Sequence, residues 1–224
     1  MSEIRWHIDV DDATTSAVYQ QAAGSAREDA PLFICAHGAG GNLGDRAMTK
    51  MADALVGRGI SVVRYNFLYR ERGSGRPDPM PRLERCVEAV AEHARREVNP
   101  PKLVIGGRSM GGRASSMVAS RGFECDGLLL LAYPLHPPGK PEKLRDGHLP
   151  GIGTPVLCIN GTRDTFCRPD LMEAVLKRVG DNWTMHWVEG ADHSFHVLKS
   201  SGTNDAAVLE GIADLATGWL DGLK

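Results

Sequence analysis

Leu103-Val104-Ile105-Gly106-Gly107-Arg108-Ser109-Met110-Gly111-Gly112-Arg113 is the stretch on which the reading of this chain turns. Three apolar residues running into glycine predict a short strand covered on both faces, and the small residues from Gly112 onward open a helix. Between them stands Gly107-x-Ser109-x-Gly111. A serine between glycines on a strand-to-helix turn is forced into a strained backbone that presents its hydroxyl at the carboxyl end of a sheet, and the glycines leave room for neighbouring chain. The pattern arises by chance in roughly one glycine-rich chain of this length in six. Its weight therefore depends on what surrounds it.

Upstream, Pro31–Ala36 is a continuous apolar run ending in His37-Gly38-Ala39-Gly40-Gly41-Asn42. Asp45 is expected to cap a helix that buries Met48, Met51, Ala52 and Leu55 and closes at Gly57 and Gly59. Ile60–Phe67 reads as the next strand. Tyr69–Pro81 reads as a loop whose Arg70, Arg72 and Arg76 are solvated. The clearest helix follows, with Leu83, Cys86, Val87, Val90, Ala91, Ala94 and Val98 on one face and Glu84, Arg85, Glu88, Glu92 and Arg95 on the other. Asn99-Pro100-Pro101 stops it. Ile4–Val10 and Ala17–Gln20 predict an antiparallel pair at an edge.

Downstream, Gly127–Tyr133 is a buried strand that runs into Pro134-Leu135-His136-Pro137-Pro138-Gly139-Lys140-Pro141, too proline-rich for helix or strand. Pro155–Asn160 ends in Gly161-Thr162-Arg163-Asp164. A helix with Leu171, Met172, Val175, Leu176 and Val179 inward stops at Gly180. Trp183–Glu189 is the last strand and delivers Gly190-Ala191-Asp192-His193. The final helix is expected to bury Val208, Ile212, Leu215, Ala216 and Trp219. Regular alternation of strand and helix predicts one α/β domain over residues 1–224, a mostly parallel doubly wound sheet with helices on both faces. In such sheets, function gathers in the loops beyond the strands' carboxyl ends.

The 26 basic and 28 acidic residues nearly cancel, which gives no electrostatic case for nucleic acid or a membrane surface. The five cysteines are scattered without metal-type spacing, and three sit among apolar neighbours as reduced core thiols do. The N-terminus has no apolar stretch of signal-peptide length and no later segment is long enough to span a bilayer, so a cytoplasmic location is expected. No metal cluster is expected, since no His-x-x-x-His pair is present. The Gly-x-Gly-x-x-Gly dinucleotide spacing is absent.

A serine hydroxyl needs a base within hydrogen-bond reach and a third group to orient that base. After Ser109 the chain supplies Asp164 past one strand and His193 past the last. The order Ser, Asp, His is that of α/β-hydrolases. His196 competes with His193 but reads as a helix-start or packing residue. Asp170 competes with Asp164 but reads as a first-turn helix acid, and Asp192 is badly placed to reach its neighbour. The N–H groups of Met110 and Ala39 are the candidate oxyanion donors. His37 reads as an anchor of the glycine-rich turn, and His37, Gly38, Arg108 and His136 are candidate substrate-site residues. Pro134–His148 is too short for a large cap, so a shallow, open site favouring small or extended acyl groups is expected.

These motifs resemble a compact α/β-hydrolase over about residues 30–222, similar to the dienelactone-hydrolase-like group. Gly107–Arg113, Tyr133–Pro141 and Gly161–Asp164 resemble a narrower branch, which includes bacterial hydrolases and the hydrolase-like domain of a eukaryotic chromatin-complex subunit. Dienelactone hydrolases use cysteine where this chain has Ser109. The resemblance implies a serine hydrolase that cleaves a carboxylic ester or related acyl bond through a covalent acyl-enzyme, with a small-molecule acyl substrate and no cofactor. The alternative from another class is a non-catalytic interaction module that keeps the fold. Retention of Ser109, Asp164, His193 and both glycine turns favours the enzyme.

Overall fold

The computed structural model describes residues 3–23 and 30–223; Met1 and Ser2, part of the N-terminal stretch read above, lie outside them. Within these described residues eight strands form one sheet: β1 (Glu3–Val10), β2 (Ala13–Gln20), β3 (Leu32–Ala36), β4 (Ser61–Tyr65), β5 (Leu103–Arg108), β6 (Gly127–Leu131), β7 (Val156–Gly161) and β8 (Trp183–Val188). Their order across the sheet is β1-β2-β4-β3-β5-β6-β7-β8. β1 pairs antiparallel with β2, and β2 with β4; every other pairing is parallel. The edge hairpin is longer than the apolar pattern suggested. β2 begins at Ala13, because the polar Thr14 and Ser16 pair with β1 as regularly as the apolar residues do.

Among the described residues six α-helices flank the sheet: α1 (Arg46–Val56), α2 (Leu68–Glu71), α3 (Met80–Val98), α4 (Met110–Ser120), α5 (Pro169–Leu176) and α6 (Asp205–Asp221). The central strands are apolar toward both faces, so each face collects its own core. On one side Met48, Leu55, Ile212 and Ala216 of α1 and α6 pack on Phe33, Val62, Val104 and Leu129. On the other, Val87 and Val90 of α3, Val118 of α4 and Met172 of α5 pack on Ile34, Ile105, Leu128 and Leu130. Burying a side chain of this size is worth about 1.5–3 kcal/mol each. Covering a continuous apolar sheet from both sides is what fixes the layers.

Several local expectations are corrected by tertiary packing. Asp45 precedes α1 but its carboxylate accepts the N–H of Asn42 at 2.9 Å instead of capping the helix. The Tyr69–Pro81 loop starts inside the short helix α2, with Leu68 and Tyr69 buried. Glu84, assigned to a solvated face, is buried and ion-paired with Arg121 of α4. α5 ends at Leu176, one turn before Gly180. In α6, Ala213 and Leu220 join the core while Leu215 is exposed and Trp219 only half-buried. Among the described residues no helical cap is inserted over the sheet edge. The connection after β6 is irregular until a short 3-10 turn at Leu149–Gly151.

Candidate functional site

At the junction of β5 and α4, Ser109 adopts φ +52° and ψ −117°, a region closed to most L residues. Its neighbours allow this. A Cβ on Gly111 would lie 2.5 Å from Ala36 O, and one on Gly107, at φ +132°, would overlap the same β3 carbonyl. The strand-to-helix turn is thus pressed against β3, and only glycine fits on either side of the serine. Ser109 N–H donates to Leu131 O at 2.9 Å, which pins the turn to the end of β6.

Two loops from the far half of the sheet bring the partners in. A Cβ on Gly161 would overlap Ala191 O, so the chain ends of β7 and β8 run in direct backbone contact there. Arg163 N–H donates to Ala191 O at 2.9 Å, and the Gly190 N–H to the Thr162 hydroxyl at 2.8 Å. This cross-link sets Asp164 beside His193. His193 Nε2 lies 2.8 Å from Ser109 Oγ, and His193 Nδ1 lies 2.8 Å from Asp164 Oδ2. Asp164 is buried, and its second oxygen accepts the Phe166 N–H at 2.8 Å.

The rivals are bound elsewhere. His196 is exposed and pairs with Asp205 at 2.9 Å, and Asp170 is exposed and pairs with Arg168. Asp192 is spent on its own turn, where Oδ1 accepts the N–H groups of Ser194 at 2.7 Å and His196 at 3.0 Å.

Met110 opens α4, so its N–H lacks an intrahelical acceptor. Ala39 lies in the turn closed by Gly41 N–H to Gly38 O at 3.0 Å, with Gly40 at φ +75°. His37 carries that turn. Its Nε2 accepts the Phe67 N–H at 3.1 Å, so Nδ1 holds the proton and donates to Gly38 O at 2.7 Å. Burial depresses the His37 pKa and keeps the ring neutral. His37 is fully buried and His136 is 2 % exposed, so neither faces substrate. Both are supports. His136 Nε2 accepts the Arg168 N–H at 3.3 Å, and its own N–H holds Phe166 O at 2.9 Å.

Arg108 is half-buried beside Ser109 and donates through Nη2 to His193 O at 3.2 Å and Ser194 Oγ at 3.0 Å. Gly38 lies opposite: a Cβ there would come 3.5 Å from Ser109 Cβ and 3.8 Å from Arg108 Nη1. Two residues escaped the sequence reading. Asn160, buried on β7, donates from Nδ2 to Asp164 Oδ2 at 3.2 Å and to Tyr133 O at 3.0 Å. Phe166 stacks on the His193 ring, with centroids 4.2 Å apart. The signal for Asn160 was its place at the polar end of an apolar strand; nothing in the sequence marked Phe166. Among the described residues no group of three or more His, Cys, Asp or Glu side chains is placed to hold a metal, and no helix is long and apolar enough to cross a membrane.

A mostly parallel sheet in this strand order, with Ser109, His193 and Asp164 converging at its carboxyl edge, defines the α/β-hydrolase class. The chain belongs to the family described as alpha/beta hydrolase domain, which it matches over residues 29–221. Solved structures agree on the fold. An α/β serine hydrolase homologue from Coxiella burnetii is 19% identical with a TM-score of 0.77, covering 98% of both chains. A serine hydrolase without a lid from Xanthomonas campestris is 20% identical at the same TM-score of 0.77, over 97% of this chain and 94% of that one. A dienelactone hydrolase from Anabaena variabilis is 19% identical with a TM-score of 0.75, over 99% and 98%.

Proposed function

We propose that this hydrolase cleaves a carboxylic ester or related acyl bond of a small molecule through a covalent acyl-enzyme on Ser109. The observation that carries the reading is the unbroken relay at 2.8 Å per step from Ser109 Oγ through His193 to buried Asp164. His193 Nε2 takes the Ser109 proton as Oγ bonds to the carbonyl carbon. Asp164 holds the proton on Nδ1 and stabilises the imidazolium while it exists. The carbonyl electron pair moves onto oxygen, and that oxyanion accepts hydrogen bonds from the N–H groups of Met110 and Ala39. Removing one such donor typically costs about 3 kcal/mol of barrier.

Collapse of the tetrahedral adduct breaks the bond to the leaving group, which departs with the proton from Nε2. Water then gives a proton to Nε2, adds to the acyl carbon, and Ser109 leaves with that proton restored. The acid is released and the enzyme returns to its starting state. The test is labelling with a fluorophosphonate probe, read by intact mass and peptide mapping. Ser109 of the wild type is expected to be labelled, Ser109→Ala unlabelled, and His193→Ala labelled far more slowly. A folded, monodisperse wild type that stays unlabelled would sink the reading in favour of a binding module.

A further inference from the structure

Arg108 is a cation with no carboxylate in direct contact. Among the described residues no carboxylate lies within ion-pair distance of it; Asp164, Asp192 and Asp45 act on its charge only from farther off. Only Nη2 is engaged, by His193 O and Ser194 Oγ, which leaves Nε and Nη1 as uncommitted donors. The guanidinium is nonetheless half-buried, and that burial lowers its pKa, an effect that the charges of Asp164, Asp192 and Asp45 offset only in part. Taking a cation out of water is costly unless something anionic meets it.

Its surroundings show where the anion would arrive. The space above Gly38 Cα has Ser109 Cβ on one side and Arg108 Nη1 on the other, each at ordinary contact distance from a carbon placed there. With no side chain at Gly38, the gap between Ser109 and the guanidinium stays open to a substrate chain. A cavity of about 910 Å³ opens beside Arg108 between α1 and α6, lined by Met48, Met51, Phe195 and Leu209. Arg46 and Lys50 line its exposed end and have no carboxylate partner among the described residues. The acids there are already held: Asp205 by His196, Glu210 by Arg58 and Asp53 by Gln20. The uncommitted groups are cations and the walls are hydrocarbon.

We infer that Arg108 recognises an anionic group on the acyl part of the substrate, a few carbons from the scissile carbonyl, so that the substrates are half-esters or half-thioesters of short dicarboxylic acids. The inference rests on the serine-hydrolase reading and adds its specificity. The carboxylate binds Nη1 and Nε by charge-assisted hydrogen bonds while the carbonyl sits against Ser109. The chain between them passes over the open face of Gly38.

The experiment compares ethyl hydrogen succinate with ethyl 4-oxopentanoate, two esters alike in length that end in a carboxylate and a methyl ketone, by ethanol release. The wild type is expected to favour the half-ester by about 10–100-fold in kcat/KM, as a charge-assisted hydrogen bond allows. Arg108→Gln should bring that ratio near one, chiefly through a higher KM for the half-ester, and Arg108→Lys should retain part of it. Two outcomes overturn the assignment: a wild type that is labelled by the fluorophosphonate yet shows no preference or cleaves neither ester, and an Arg108→Gln variant that loses both activities in equal proportion. The second would make Arg108 a positioning residue for the His193 turn. Absence of Ser109 labelling sinks the hydrolase reading and this one with it; labelling without charge preference sinks only this one.

Discussion

Two serine–histidine pairs lie within this one sheet-and-helix unit, and both are 2.8 Å long. Ser109 Oγ meets His193 Nε2 at the mouth of the site; Ser116 Oγ meets His148 Nε2 on the body of α4. By distance they are equivalent. The direction of the proton separates them. Ser116 gives its single hydrogen to Arg113 O at 2.7 Å, so it can only accept from His148. His193 has its Nδ1 proton committed to Asp164, which leaves Nε2 free to accept from Ser109. Ser116 is fully buried within regular helix, whereas Ser109 is partly open on a turn at φ +52°. Burial, together with the charge of Arg113, outweighs Asp146, which is already paired with Arg178, and pulls the His148 pKa down to about 4. A short serine–histidine contact does not make a nucleophile. Access, the correct tautomer and an acid behind the base do.

The largest effect should come from breaking the first pair and sparing the second. Ser109→Ala is expected to reduce ester turnover by on the order of 10⁵–10⁶, and Ser116→Ala, which merely trims a buried hydroxyl, should leave kcat within a few-fold. Comparable losses from both would erase the distinction. Next in size is the acid. Asp164→Asn preserves shape but no longer holds the proton on Nδ1, and about a 10⁴-fold fall in kcat is expected with KM little changed. A fall of under tenfold would mean that His193 is oriented by something else, Phe166 or the Asp192 turn.

The contrast also explains what could be read from the chain and what could not. Ser109, Asp164 and His193 were legible because each ends an apolar run at a glycine-bearing turn, and strand ends in a parallel sheet meet along one edge. The edge hairpin was recognised but cut short at Ala17, since Thr14 and Ser16 pair with β1 without adding hydrophobicity. Glu84 and Asp45 were misassigned because their partners, Arg121 and the Asn42 N–H, are fixed by tertiary packing or by a loop turn, which helical periodicity does not register. His37 and His136 were placed among substrate residues for their position near the loops, yet both are braces facing inward. Phe166 left no trace in the sequence. A stacking partner is defined only by where two loops meet.

That stack supplies the next test of how the His193 pair differs from its counterpart. Phe166 lies at 29° to the imidazole with centroids 4.2 Å apart, and its N–H holds Asp164 Oδ1. The Phe166→Ala variant keeps the backbone bond and removes the plate against which the ring rests. A loosened base should lower kcat by about 10-fold, well under the roughly 10²-fold that a full ångström of misplacement can cost. Phe166→Leu should recover part of the loss. Unchanged kcat with a raised KM would instead assign the ring to the substrate wall.

The smallest effect is on stability and belongs to the pair that does no chemistry. His148 stays neutral in the fold down to about pH 4, while in the unfolded chain it takes up a proton near 6.5. The unfolded state therefore binds more protons between those limits, and the free energy of unfolding must fall as pH drops from 6.5 toward 4. His196 has the opposite sign, because Asp205 raises its pKa and its contribution fades as pH rises. His148→Gln keeps a donor for Ser116 but has nothing to titrate. Thermal melts should thus show wild type and His148→Gln diverging by a few degrees between pH 7 and pH 4.5, the wild type losing more. Parallel curves would mean that His148 gains its proton within the fold, with Nε2–H still donated to Ser116.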